Sequence, residues 1–139
     1  MNIFMKILVS LFALLIMANV SAAQTTASLS PQQVEALKKV KVDTEKAAAP
    51  YAMKLAETAK QIYANMLSDK EDQKLRKRLA KQLHLYTAKL LDIRGESYRA
   101  ALNVLTPDQR QLVRDELKKP GAPTDIADII VKTFGLSDK

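Results

Sequence analysis

Apolar residues recur at helical spacing along most of the chain. They fall at Val34, Leu37 and Val40, then at Tyr51, Leu55, Ala59, Ile62, Tyr63 and Met66. A second series, Leu75, Leu79, Leu83, Tyr86, Leu90, Ile93, Ser97 or Tyr98, Ala101 and Leu105, keeps steps of three and four with only Gly95 as a weak point. Such steps line one face of an α-helix, whereas a half-buried strand would alternate at every second residue. The pattern predicts an all-α chain of four helices, two of them long and amphipathic. A helix from about Lys70 to Asn103 would reach ~50 Å. That length favours an elongated hairpin or cradle, and a dimer to cover the stripe from Leu75 to Leu105.

Caps and breakers place the helix ends. In Leu29-Ser30-Pro31-Gln32-Gln33 the Ser30 hydroxyl can accept from the third helical amide, Pro31 suits the first helical position, and Gln33 can reach back to the cap. Pro50 removes one helical hydrogen bond and crowds the preceding turn, so a break or kink is expected between Ala47 and Tyr51. Ser68 and Glu71 have capping-box spacing ahead of the second long helix. Leu105-Thr106-Pro107-Asp108-Gln109 repeats the first cap and opens a short helix through Leu112, Val113 and Leu117, ended by Lys118 to Pro123. Thr124 is the expected cap of a last helix, Asp125 to about Phe134, with Ile126, Ile129, Ile130 and Phe134 on one face.

The first residues carry a different signal. One lysine, Lys6, precedes an apolar run from Ile7 to Ala18 interrupted only by Ser10, and small residues follow at Ser21, Ala22 and Ala23. This is the layout of a secretory signal peptide cleaved after Ala22 or Ala23, of which Ala23 is favoured. A dozen apolar residues span only ~18 Å, too short for a bilayer core of ~30 Å. The expectation is residues 1–23 as signal and residues 24–139 as one helical domain working in the periplasm, with no stable membrane insertion. The absence of cysteine excludes a disulfide framework and a cysteine-linked lipid anchor.

From residue 24 onward there are 21 basic and 15 acidic residues, a net charge of +6. Export separates this charge from cytoplasmic nucleic acid and leaves acidic or unfolded polypeptides and envelope surfaces as partners. Lys70, Lys74, Lys77 and Lys81 share one helical stripe, either a solvated face or a positive surface that attracts acidic chains. Tyr51, Leu55 and Ile62 are candidates for the apolar part of such a surface. His84 is the only histidine, and Met53 and Met66 are its only soft companions, so no tetrahedral metal site is expected. No ordered Ser/His/Asp set, glycine-rich phosphate loop or paired-carboxylate site stands out, so neither an enzyme nor a cofactor is expected.

The two motifs, Leu29-Ser30-Pro31-Gln32-Gln33 and Leu105-Thr106-Pro107-Asp108-Gln109, stand before the first helix and after the longest one. In this placement the chain resembles the Spy/CpxP family of periplasmic proteins, whose signature is a pair of Leu-Thr-x-x-Gln motifs in a signal-bearing four-helix chain. The likeness is strongest from Leu90 to Leu117, and Ser30 replaces the usual threonine in the first motif. It implies a dimeric cradle acting as an ATP-independent chaperone for unfolded or misfolded envelope proteins, or as a partner of an envelope stress sensor. A metal-responsive branch of the family is the alternative it allows. An amphipathic envelope-binding protein is a further alternative, from a different class. Leu29, Ser30, Gln33, Leu105, Thr106, Pro107 and Gln109 are the motif residues, read first as helix caps and otherwise as contacts for a client or sensor.

Overall fold

A computed structural model describes residues 28–136, all of whose regular structure is helical. The expected signal segment lies outside the described residues. Four helices follow in order: α1 (Pro31–Met66), α2 (Gln73–Val104), α3 (Pro107–Leu117) and α4 (Ile126–Phe134). The helices α1 and α2 pack along one another in opposite directions. Thr44 meets Ser97 at one level, and Asn65 meets Asp72 at the turn.

Both proline-led caps form as their sequences predict. Ser30 and Thr106 each accept from the third helical amide, and Gln33 and Gln109 each receive the cap residue's own N–H. Three local expectations are corrected. Helix α1 is a single 36-residue helix running through Pro50, with no break near Ala47. Pro50 sits on the exposed side, and packing against α2 on both sides of it offsets the ~3 kcal/mol that a mid-helix proline costs. Second, Asp72 rather than Ser68 caps α2, its carboxylate accepting from the amides of Lys74 and Leu75 at 2.8 and 3.0 Å. The Ser68 hydroxyl instead bonds the carbonyls of Asn65 and Lys70 inside the turn. Third, Asp125 rather than Thr124 caps α4, accepting from Ala127 at 2.8 Å. In both places a carboxylate nearer the helix displaces a hydroxyl, as the helix dipole favours. Gly135 closes α4 in the left-handed conformation at φ 63°.

The core lies at one end of the long pair. Val34 and Leu37 of α1, Ala101 of α2 and Leu105 just beyond it, Val113 of α3, and Ala127, Ile129 and Ile130 of α4 form a single buried cluster. Leu29, Leu102, Ile126 and Phe134 pack against it. Away from this base the molecule is a two-helix arm, with Leu79 and Leu90 its buried apolar residues. Thr44, Thr58, Asn65 and Ser97 are also buried in the arm, as polar rungs between apolar layers. The stripe from Leu75 to Leu105 is turned toward α1 and covered within the chain, so the length of that stripe does not itself call for a second copy.

Candidate functional site

The two motifs meet face to face. Gln33 and Gln109 are 76 residues apart, yet their side-chain amides bond to each other in both directions, at 2.7 and 3.2 Å. Each Oε1 also accepts from its own cap N–H, Ser30 or Thr106, at 2.9 Å. Each Nε2 also donates to the carbonyl two residues before the other motif's cap: Gln33 to Val104 and Gln109 to Ser28, both at 3.0 Å. The arrangement has approximate two-fold symmetry. It satisfies both amides, with Gln109 only 5% exposed, and it fastens the start of α1 to the junction of α2 and α3. Leu105 is buried and Leu29 half-buried in the adjoining core, while Thr106 and Pro107 are exposed. Sequence spacing identifies each cap; the pairing between caps has no local signature.

Three more polar fasteners are invisible in the sequence pattern. Asn65 bonds both the N–H and the carbonyl of Asp72, at 3.0 Å each, and so closes the turn between the long helices. At the base, Arg94 and the Tyr98 hydroxyl both donate to Asp125 Oδ2, while Oδ1 of the same carboxylate caps α4. Burial and the bond to Asp125 push the Tyr98 phenol up to about 12, the neighbouring Arg94 opposing the rise. Glu116 of α3 receives ion pairs from Lys119 and Lys132, which hold its carboxyl below the usual range and link α3 to α4.

The proposed client residues are divided by the fold. Lys70, Lys74, Lys77 and Lys81 are all exposed, on the hairpin turn and the outward side of α2, and none forms an ion pair among the described residues. Tyr51, Leu55 and Ile62 are half-buried on the side of α1 that carries the buried Thr44 and Thr58, facing α2. Lys54 further covers Tyr51 and Tyr86, with its ammonium 5.8 and 5.9 Å from the ring centres. The structure therefore does not bring the lysines and these three residues onto one surface. Large apolar groups that do face outward include Val42, Met53, Tyr63, Met66 and Leu67 on α1 and its cap, Leu85 and Leu91 on α2, and Leu112 and Leu117 on α3. Tyr63 and Met66 thereby correct the apolar series read along α1, which includes both, because they lie on the side turned away from α2.

An open notch beside Gly95 is lined by Tyr51, Lys89, Asp92, Glu96 and Arg99, charges of both signs with no nucleophile–base pair. No group of three His, Cys, Asp or Glu able to hold a metal ion occurs among the described residues. None of the described helices is long and apolar enough to cross a membrane. The molecule is thus an all-helical protein with a long two-helix arm fastened at its base by paired caps. Comparison with protein-family models, curated proteins and solved structures gives no match.

Proposed function

We propose that this protein is a periplasmic, ATP-independent chaperone or envelope stress-response accessory protein of the Spy/CpxP kind, which holds unfolded or misfolded envelope proteins. One observation carries the reading: the unpaired, exposed cations Lys74, Lys77 and Lys81, with Lys70 in the turn before them, lead at steps of three and four along α2 into the exposed Leu85 on the same outward side. Long-range attraction raises the encounter rate with acidic chains, and short-range apolar contact then desolvates them. Leu85 and Leu91 take the apolar role in place of the covered Tyr51, Leu55 and Ile62. Lysine stems add apolar area while their heads stay in water, which suits weak, unselective contact. The paired glutamines serve this surface indirectly, by holding the base together. A sensor contact at the motifs would use the exposed Thr106, Pro107 and Asp108.

The dimer belongs to the same proposal. With the α2 stripe already covered, its seam falls on the outward side of α1, where Val42, Ala49, Met53 and Ala56 lie at heptad-compatible spacing. Sedimentation equilibrium showing only monomer at tens of micromolar would remove this part. The functional test is suppression of aggregation of a denatured client without nucleotide. Turbidity should fall as the protein approaches equimolar ratio; no suppression at severalfold excess refutes the proposal.

A further inference from the structure

The geometry points to the turn between α1 and α2 as a docking site for an anionic lipid bilayer surface, with Leu67, Met66 and Tyr63 entering the headgroup boundary ahead of the cations of the adjoining helix ends. This inference shares Lys70, Lys74 and Lys77 with client capture, but a client surface on α2 requires none of Tyr63, Met66 and Leu67, so substitutions at those three distinguish the two.

The turn is built to hold its shape without apolar help. Asn65 is buried and ties the two ends of the turn through Asp72, and Ser68 bonds the carbonyls of Asn65 and Lys70. Three large apolar side chains nevertheless stand outside it, Leu67 at 86%, Met66 at 58% and Tyr63 at 52% exposure. Isolated exposed apolar residues are ordinary, but three adjoining ones at the end of a projecting arm mark a contact surface.

Charge selects the partner. Between residues 60 and 81 lie seven cations, Lys60, Lys70, Lys74, Arg76, Lys77, Arg78 and Lys81, against Asp69, Glu71 and Asp72. Asp69, Glu71 and Asp72 lie in the turn itself, where Glu71 is paired with Arg76, and most of the cations stand on the adjoining helix ends, so residues 60–81 carry a net charge of +4, seven cations less three carboxylates. An exposed apolar turn backed by the cations of both helix ends matches an interface whose surface is anionic and whose interior, a few ångströms deeper, is apolar. Tyr63 has the amphipathic ring that favours this boundary. The arm would then stand on the bilayer by its tip, with the glutamine-clasped base held away from it.

The test uses protein recovered from the envelope, its N-terminus sequenced, with vesicles of phosphatidylcholine alone and of phosphatidylcholine with phosphatidylglycerol. Binding should require the anionic lipid. The double substitution Met66→Ser and Leu67→Ser should weaken it by on the order of tenfold, given the apolar transfer it removes. Each Lys→Gln at positions 70, 74 and 77 should weaken it about fivefold at low salt. Because the chain lacks cysteine, L67C can carry a single environment-sensitive fluorophore, whose emission should shift to the blue on anionic vesicles. Equal binding of the double-serine variant, equal binding to neutral vesicles, or no blue shift would overturn the proposal. Soluble polyglutamate that binds the tip while anionic vesicles do not would assign the surface to acidic polypeptide instead. Circular dichroism and aggregation suppression, measured on the Met66→Ser, Leu67→Ser variant, which leaves the client lysines in place, separate loss of fold and loss of client capture from loss of lipid binding.

Discussion

Gln109 illustrates how a residue chosen for a local task acquires a larger one. As the third residue of a capping box it is expected to contribute less than Thr106, whose loss should cost on the order of 1 kcal/mol. In the fold its amide is nearly fully buried and bonds to Gln33, to Ser28 and to its own cap. Truncation leaves buried partners without a mate, a loss of about 1–3 kcal/mol. Gln109→Ala should therefore destabilise at least as much as Thr106→Ala in urea titration. Gln33→Ala should do likewise, and the double variant should cost less than the two added together, with a coupling on the order of 1 kcal/mol. Strict additivity would mean that the two caps act separately. Both glutamines could be picked from the sequence because capping is set by residues three apart. Their mutual bond could not, because it depends on how α1 docks at the end of α2.

At the scale of the helix, existence and type followed from apolar spacing, since a stripe more than four heptads long leaves little room for another period. Ends and interruptions were less secure. Pro50 carries a strong local signal to break α1, and the packing of α1 on α2 outweighs it; Asp72 and Asp125 each lie one to four residues from an equally plausible hydroxyl cap. Gly95 is the complementary case, a residue that weakens α2 without serving a turn. A methyl group built there meets nothing within 4 Å, so Gly95→Ala should stabilise the protein by about 1 kcal/mol through helix propensity, seen as a higher urea midpoint. An unchanged or lower midpoint would show that the notch beside it needs the glycine.

The attachment of α4 should be sensitive to alkali. The Tyr98 phenol, raised from an ordinary value of 10.0 to about 12, contributes stability that is fully present below pH 10 and lost as pH rises through 12. Tyr98→Phe should remove this alkaline component, so that its urea midpoint falls less steeply than wild type between about pH 9 and 12. Parallel pH profiles would exclude the Arg94–Tyr98–Asp125 group from that role. Glu116 acts in the opposite range: its lowered carboxyl contributes above 4.5, and the contribution is lost as pH falls through the still lower folded value.

For the whole molecule, net charge was readable before any fold. The small-residue pattern at positions 21–23 predicts that protein recovered from the envelope begins at Ala23 or Gln24, and N-terminal sequencing that returns Met1 would contradict export. Which apolar groups face outward was not readable, because Tyr51 and Met53 both suit an apolar helix face and are separated only by which side of α1 meets α2. The central claim is that unfolded chains are captured through the basic outward side of α2. Stopped-flow association with an acidic unfolded client tests it most directly, comparing wild type with the variant in which Lys70, Lys74, Lys77 and Lys81 are all glutamine. At low ionic strength the variant should associate severalfold more slowly with little change in dissociation, and the two should converge as salt shortens the Debye length to ~8 Å and below. Equal association rates at low ionic strength, with circular dichroism showing both proteins folded, would contradict the account and leave the stripe as an ordinary solvated face.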